Sequence, residues 1–315
     1  MLDVRRLRLL RELAHRGTIA AVADALSYTP SAVSQQLSAL EREAGVPLLE
    51  RTGRRVALTP AAAALVAHTD AVLARLEQAA AELDAVRGGP AGPLRIGAFP
   101  SAVQALLPGV LARLAAEHPA LEPRVAELDP AAATDRLRAG ELDVALLHRY
   151  DFAPAPAASG VQTEAVLTET LYAAAPADAP FPPDRGGNAD DLRRWRDAGW
   201  ILATPGTLCH TMTVRACEAA GFTPKARHSV DDFAAVLRLV AVGQGVALVP
   251  ELAVAEGTSA NVALTALPLR RHTEVAYRRG AGGHPAVRAF TTALAASAPA
   301  ALRPAAADAG LPGEG

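Results

Sequence analysis

Within residues 30–44, Val33, Leu37 and Leu40 recur at i, i+4 and i+7, so one stripe of a helix packs inward while Ser31, Ser34, Gln35 and Ser38 fall on other faces. The punctuation upstream predicts two shorter helices. Gly17 supplies the positive φ that ends the first, over 2–16, and Thr18 caps the second, over 18–26. Tyr28-Thr29-Pro30 reads as a turn, a Thr cap and a proline in the first helical position, where its missing N–H costs nothing. After Gly45, VPLLERTGRRVALT alternates around a Thr52-Gly53 turn and predicts a hairpin. From Thr59-Pro60 an Ala/Leu-rich helix runs unbroken to residue 87. Its seam of Leu65, Val72, Leu76, Leu83 and Val86 is too long and narrow for burial inside so small a head, so it should pair with a copy of itself.

The run GGPAGP at 88–93 breaks this helix, and short apolar strands then alternate with helices. Strands fall at 94–98, 122–127 and 144–147, with helices at 101–118 and 131–139 between them. A comparable run has strands at 171–175, 200–203 and 246–249 and helices near 190–197, 210–220 and 233–242. Such alternation predicts a parallel sheet and two α/β lobes in tandem. A strand at 273–277 and a helix at 285–296 should return to the first lobe. The expected units are a head over 1–60, a linker helix over 61–88 and a two-lobed domain over 89–297. Lobe I takes 93–164 and 270–297, and lobe II takes 165–269. The tail 298–315, rich in Ala, Pro and Gly with little to bury, is expected to be disordered.

The chemistry of the head points to double-stranded DNA. Thr29, Pro30 and Ser31 at a helix start suit phosphate oxygens, Ser34 and Ser38 extend that face, and Gln35 can pair bidentately with adenine in the major groove. The hairpin carries Arg51, Arg54 and Arg55 toward the backbone. The plain alternative is a small helical domain with a solvated Ser/Gln face; the hairpin and the self-pairing helix beside it argue against that, since dimeric readers of this type address two half-sites. A net charge of −2 over 315 residues looks wrong for such a protein until it is divided. Residues 1–60 hold nine Arg against six acidic residues, 9 − 6 = +3, leaving −5 for the rest. No apolar run is long enough for a bilayer and the N-terminus has no leader-like apolar stretch, so a cytoplasmic protein without a membrane partner is expected. Lys225 is the only lysine, which reflects genome composition.

These features together resemble the LysR-type transcriptional regulators, up to about Ser297. The match runs through Leu26, Pro30, Ser31, Val33, Ser34, Leu40-Glu41, Gly45, Leu48, Arg51, Arg55 and Leu58-Thr59, with the linker helix in the expected place. Leu10, Ile19, Leu49 and Ala62 depart from the family's usual residues at packing positions and leave the DNA-facing set untouched. The resemblance implies a winged helix-turn-helix head whose DNA contacts are Pro30, Ser31, Ser34, Gln35 and the wing arginines. It implies an effector-binding domain similar to periplasmic solute-binding proteins, hinged near 164–170 and 266–269. It also implies a dimer or a tetramer of paired dimers held by the linker helix, a small-molecule effector, no cofactor, and RNA polymerase as a further partner.

In such a domain ligands bind at the carboxyl ends of strands where strand order switches. Ser101, after the first strand, opens a helix; Thr204 and Thr207 follow a strand of the second lobe and lead to His210; His148 and Arg149 end a third strand, with Arg149 a candidate carboxylate clamp. A polar or carboxylate effector is therefore expected. Read blandly, Ser101 and Thr207 are helix caps and Arg149 a solvated residue. The glycines of Gly243-Gln244-Gly245 serve backbone geometry. Peroxide-sensing members of the family carry two reactive cysteines in this stretch, which makes thiol sensing by Cys209 and Cys217 the alternative function. Cys209, near a helix start beside His210, would have a lowered pKa, whereas Cys217 sits mid-helix among small residues, and the spacing departs from that of the sensors. No nucleophile elbow or metal-spaced Cys/His cluster marks the chain as an enzyme.

Overall fold

Asp3 accepts hydrogen bonds from the Arg5 and Arg6 amides and opens α1 (Val4–Arg16), which Gly17 ends at φ 74°. This is a computed structural model, which describes residues 1–52, 55–86, 88–153, 159–178, 189–254 and 260–303. Thr18 caps α2 (Ile19–Leu26), and Thr29 caps α3 (Pro30–Ala44) with Pro30 in its first turn. The hairpin follows as antiparallel β1 (Leu49–Thr52) and β2 (Arg55–Leu58). Its expected tip at 53–54 and the side chains of 51–55 lie outside the described residues. Glu41 anchors the hairpin base by accepting the Leu48 and Leu49 amides, each at 3.0 Å. Val33, Leu37 and Leu40 are buried with Leu10, Val22, Leu48 and Ala62, while Ile19 and Leu49 pack on the same core. The residues that depart from the family pattern thus serve head packing.

Thr59 caps α4 (Pro60–Val86), accepting the Ala62 amide at 3.1 Å and donating to the Pro47 carbonyl at 3.0 Å. The start of α4 completes the head core. Farther along, its apolar seam lies open in the single chain, with Val72 41 % and Leu83 67 % exposed.

The remaining elements are β3 (Gly92–Ala98), α5 (Pro100–Ala105), α6 (Leu107–Glu117), β4 (Leu121–Glu127), α7 (Pro130–Ala139), β5 (Val144–Tyr150), β6 (Val161–Pro176), β7 (Gly199–Leu202), α8 (Leu208–Ala219), β8 (Lys225–Ser229), α9 (Phe233–Ala241), β9 (Ala247–Pro250), β10 (Val262–Arg278) and α10 (Pro285–Ser297). The main sheet runs β4-β3-β5-β10-β6-β9, and β7 pairs with β8 in a separate parallel ribbon. Only the β3 pairings in the main sheet are parallel; β10 is antiparallel to β5 and β6, and β9 to β6. The expectation of a parallel sheet is corrected accordingly. The two long strands β6 and β10 pair from Val161↔Arg278 to Pro176↔Val262 and so pass through both lobes as one ladder. Its register shifts between Leu267 and Arg270, where Pro268 has no N–H to donate.

Other boundaries differ for local reasons. The helix expected over 101–118 is two, because Pro108 near the start of α6 lacks an N–H and its ring excludes the carbonyl four residues back. The segment near 190–197 forms a 3-10 turn, Ala189–Trp195, in place of an α-helix. Of the tail, Ala298 is buried and Leu302 packs on the lobe I core, while 304–315 lie outside the described residues. Lobe I centres on Ile96, Leu107, Tyr277 and Phe290, and lobe II on Trp195, Trp200 and Met212. Among the described residues no helix is long and apolar enough to cross a membrane.

Candidate nucleic-acid interface and ligand cleft

The inward stripe of α3 leaves Ser31, Ser34, Gln35 and Ser38 exposed beside the exposed cap Thr29 and Pro30. Thr29 and Ser31 share a hydroxyl contact at 3.1 Å. Ser34, Gln35 and Ser38 line a shallow groove with two arginines that sequence reasoning missed, Arg6 from α1 and Arg42 from the end of α3. Arg6 is held there by Gln36 at 2.9 Å and by Glu43. The groove therefore combines short hydrogen-bonding side chains with two guanidiniums, Arg6 paired to Glu43 and Arg42 at the end of α3, donors of the kind that phosphate and base edges accept. Arg51 and Arg55 belong to the β1–β2 hairpin, and Arg54 with their side chains lies outside the described residues.

Between the lobes a cavity of about 250 Å³ is lined by Phe99, Pro100, Ser101, Glu127, Leu128, Asp129, Pro130, His148 and Arg271 on one side and Ala203, Thr207, Cys209, Asp231 and Phe233 on the other. Of the six expected ligand residues the structure brings three together here: Ser101, His148 and Thr207. Thr207 caps α8 by accepting the His210 amide at 3.2 Å and donates to the Thr204 carbonyl at 2.8 Å. Thr204 and His210 are outside the lining; the Thr204 amide and hydroxyl both donate to Asp231, at 2.8 and 2.6 Å. Arg149 is corrected more strongly. Successive residues of β5 face opposite sides of the sheet, so with His148 in the cleft Arg149 lies away from it, bonded to Glu274 at 3.0 Å.

The guanidinium in the cleft belongs instead to Arg271 of β10. It is buried, donates to Glu169 at 2.7 Å and to the Ser101 hydroxyl at 3.0 Å, and stands 5.0 Å from the centre of the Phe99 ring. The sequence signal for it was present but undirected, since LRRHTEVAY places several charged residues in an otherwise apolar strand. His148 packs edge-on between Phe99 and Tyr150, and burial, followed by the nearby Arg271, holds its imidazole well below the usual histidine range.

Cys209 lines the cleft and contacts the Tyr150 hydroxyl at 3.1 Å. Burial pushes its thiol up, which overturns the expectation that the helix start and His210 lower it. Cys217 is fully buried, and desolvation pushes it to about 12.

Helix α7 joins the two regions. Asp129 caps its first turn, accepting the Ala131 amide at 2.8 Å, and lies in the cleft lining with Pro130. At its other end Arg8 of α1 donates to the Arg138 and Ala139 carbonyls at 3.2 and 3.0 Å, and Arg16 approaches Asp135 at 3.6 Å. Arg278 ties lobe I to the linker helix through Glu77 at 2.7 Å.

Residues 4–63 match the family model for bacterial regulatory helix-turn-helix proteins of the lysR family, and residues 87–299 match that of the LysR substrate binding domain. GltC, a transcriptional dual regulator of Bacillus subtilis, is 30 % identical over 258 residues, 82 % of this chain and 83 % of that protein. A probable hydrogen peroxide-inducible genes activator of Mycobacterium avium is 33 % identical over 253 residues, 79 % of this chain and 78 % of that protein. A hydrogen-peroxide-bound mutant of OxyR from Corynebacterium glutamicum shares the fold at a TM-score of 0.56 and 26 % identity, covering 94 % of each chain. Two family matches that flank the linker helix, and a relative 30 % identical over 82 % of the chain, lead to one conclusion: this chain belongs to the LysR family of helix-turn-helix transcriptional regulators.

Proposed function

We propose that this regulator reads an operator with α3 of two paired heads, and that a small molecule held between its lobes sets how the heads sit on DNA. The observation that carries the reading is the exposed Ser31, Ser34, Gln35 and Ser38 face of α3, flanked by Arg6 and Arg42. Thr29 and Pro30 at the helix start and Arg51, Arg54 and Arg55 of the wing complete the proposed DNA contacts. In functional terms the units are the head (1–60), the linker helix (61–88), which pairs through its open seam, and the effector domain (89–297). Ser101, His148 and Thr207 are the proposed ligand contacts, with Arg271, Asp129 and Asp231 added to them. Lobe closure that shifts head geometry by only about 1–3 kcal/mol changes promoter occupancy several-fold. The effector domain acts as a binding module without chemistry on its ligand, and the protein works in the cytoplasm.

Selection of genomic fragments by the purified protein at near-physiological salt tests this reading. A reproducible site with a spaced dyad is expected; salt-sensitive binding with no sequence preference overturns it.

A second reading, thiol sensing, is favoured by the likeness to peroxide-inducible activators and by Cys209 in the cleft wall. The raised pKa of both thiols opposes it, because the thiolate is the reactive form.

A further inference from the structure

The cleft is lined by three exposed carboxylates, Glu127 and Asp129 from lobe I and Asp231 from lobe II. Its one guanidinium, Arg271, is 1 % exposed and already matched by Glu169 at 2.7 Å. Asp129 caps α7 and Asp231 holds Thr204 through both oxygens, but among the described residues the lining offers none of the three carboxylates a cation. A second observation points to a missing partner in the same cavity. His148 is 5 % exposed and neutral, and its Nδ1 is buried without a hydrogen-bond partner among the described residues. Asp129 and Asp231 line this cavity from opposite lobes, and Cys209 lies in the same lining.

We infer that the cleft takes a small molecule bearing an ammonium or guanidinium group, bridged between Asp129 of lobe I and Asp231 of lobe II, with a hydrogen-bonding group against His148. This rests on the ligand-cleft reading above and replaces the carboxylate effector that Arg149 suggested. It also supplies a cause for closure. Without a ligand the two carboxylates repel across the gap and favour separated lobes; a cation between them removes the repulsion and draws the lobes together.

Cys209 is a built-in reporter of this potential. The full-length protein is treated with methanethiosulfonate reagents of matched size carrying a trimethylammonium, a sulfonate or no charge, and labelling at Cys209 is followed by peptide mass spectrometry. Rates are normalised to those of a small neutral thiol. The cationic reagent should outpace the anionic one by about tenfold or more, and the Asp129→Asn, Asp231→Asn pair should move that ratio toward one. An equal or inverted ratio in the unsubstituted protein overturns the cationic ligand class while leaving the cleft as a binding site. Because burial holds the Cys209 thiol protonated, labelling is repeated at alkaline pH; failure of all three reagents there, while the unfolded protein labels, means that small molecules do not enter, which overturns the cleft reading and this inference with it.

Discussion

Arg271 and Glu169 face each other across the β10–β6 ladder with guanidinium and carboxylate 2.7 Å apart and side-chain exposures of 1 % and 0 %. Glu169 also accepts the Leu252 amide at 2.6 Å, and Arg271 reaches Ser101, so one ion pair ties both crossover strands to the cleft wall. Removing one partner strands a buried charge. Glu169→Ala or Arg271→Met should each cost about 3–5 kcal/mol, and Glu169→Leu combined with Arg271→Met should recover much of it. Urea unfolding measures this; single losses below about 1 kcal/mol would show that water reaches the pair.

Gln35 and the wing arginines should fail differently. Gln35→Ala is expected to cost about 1–3 kcal/mol at one position of each half-site and to relax base preference there. Replacing Arg54 or Arg55 should weaken all sequences together and flatten the salt dependence. Equal losses on operator and random DNA for Gln35→Ala would remove Gln35 from base reading.

Peroxide should leave DNA affinity unchanged and form no Cys209–Cys217 disulfide, because both thiols are held protonated by burial. Non-reducing peptide mapping checks this, with Cys209→Ser as control. A peroxide-dependent disulfide accompanied by altered operator binding would establish the sensor reading instead.

Acidification should destabilise the protein before its carboxylates titrate. In the folded state burial holds the His148 and His15 imidazoles below their ordinary value, while the unfolded chain titrates near 6.5. Below that pH the unfolded chain takes up protons that the folded one refuses. Their contribution is therefore fully present above about pH 6.5 and is lost as pH falls toward the folded values. His148→Phe should reduce the slope of Tm between about pH 7.5 and about pH 5.5. An unchanged slope would mean that His148 titrates normally.

The head was legible almost to the residue because its boundaries are chemical: Gly17 and Gly45 adopt the left-handed conformation that ends helices, and Thr18, Thr29 and Thr59 cap the helices that follow. The effector domain was legible in outline only. The exposed run QTEA at 162–165 hid the outer half of β6, the short run VALTA at 262–266 gave no alternation to mark that of β10, and the polar strand β8, KARHS, gave no apolar signal. In the cleft, local rules located the helix starts at Ser101 and Thr207. They could not find Arg271, whose place depends on a pairing with Glu169 across 102 residues of sequence.

Helix α7 begins in the cleft and ends in the grip of Arg8, so the head is fastened to its sensor twice, once through the chain along α4 and once through side chains. A body fastened at two points does not swing freely. Ten residues of helix span about 15 Å, so a tilt of about 10° pivoted at the cleft moves the far end by about 2.6 Å. That is enough to break a hydrogen bond of ordinary length. A tilt of that size at the cleft would therefore reach α1 as a broken Arg8 bond, while α4 keeps the head attached.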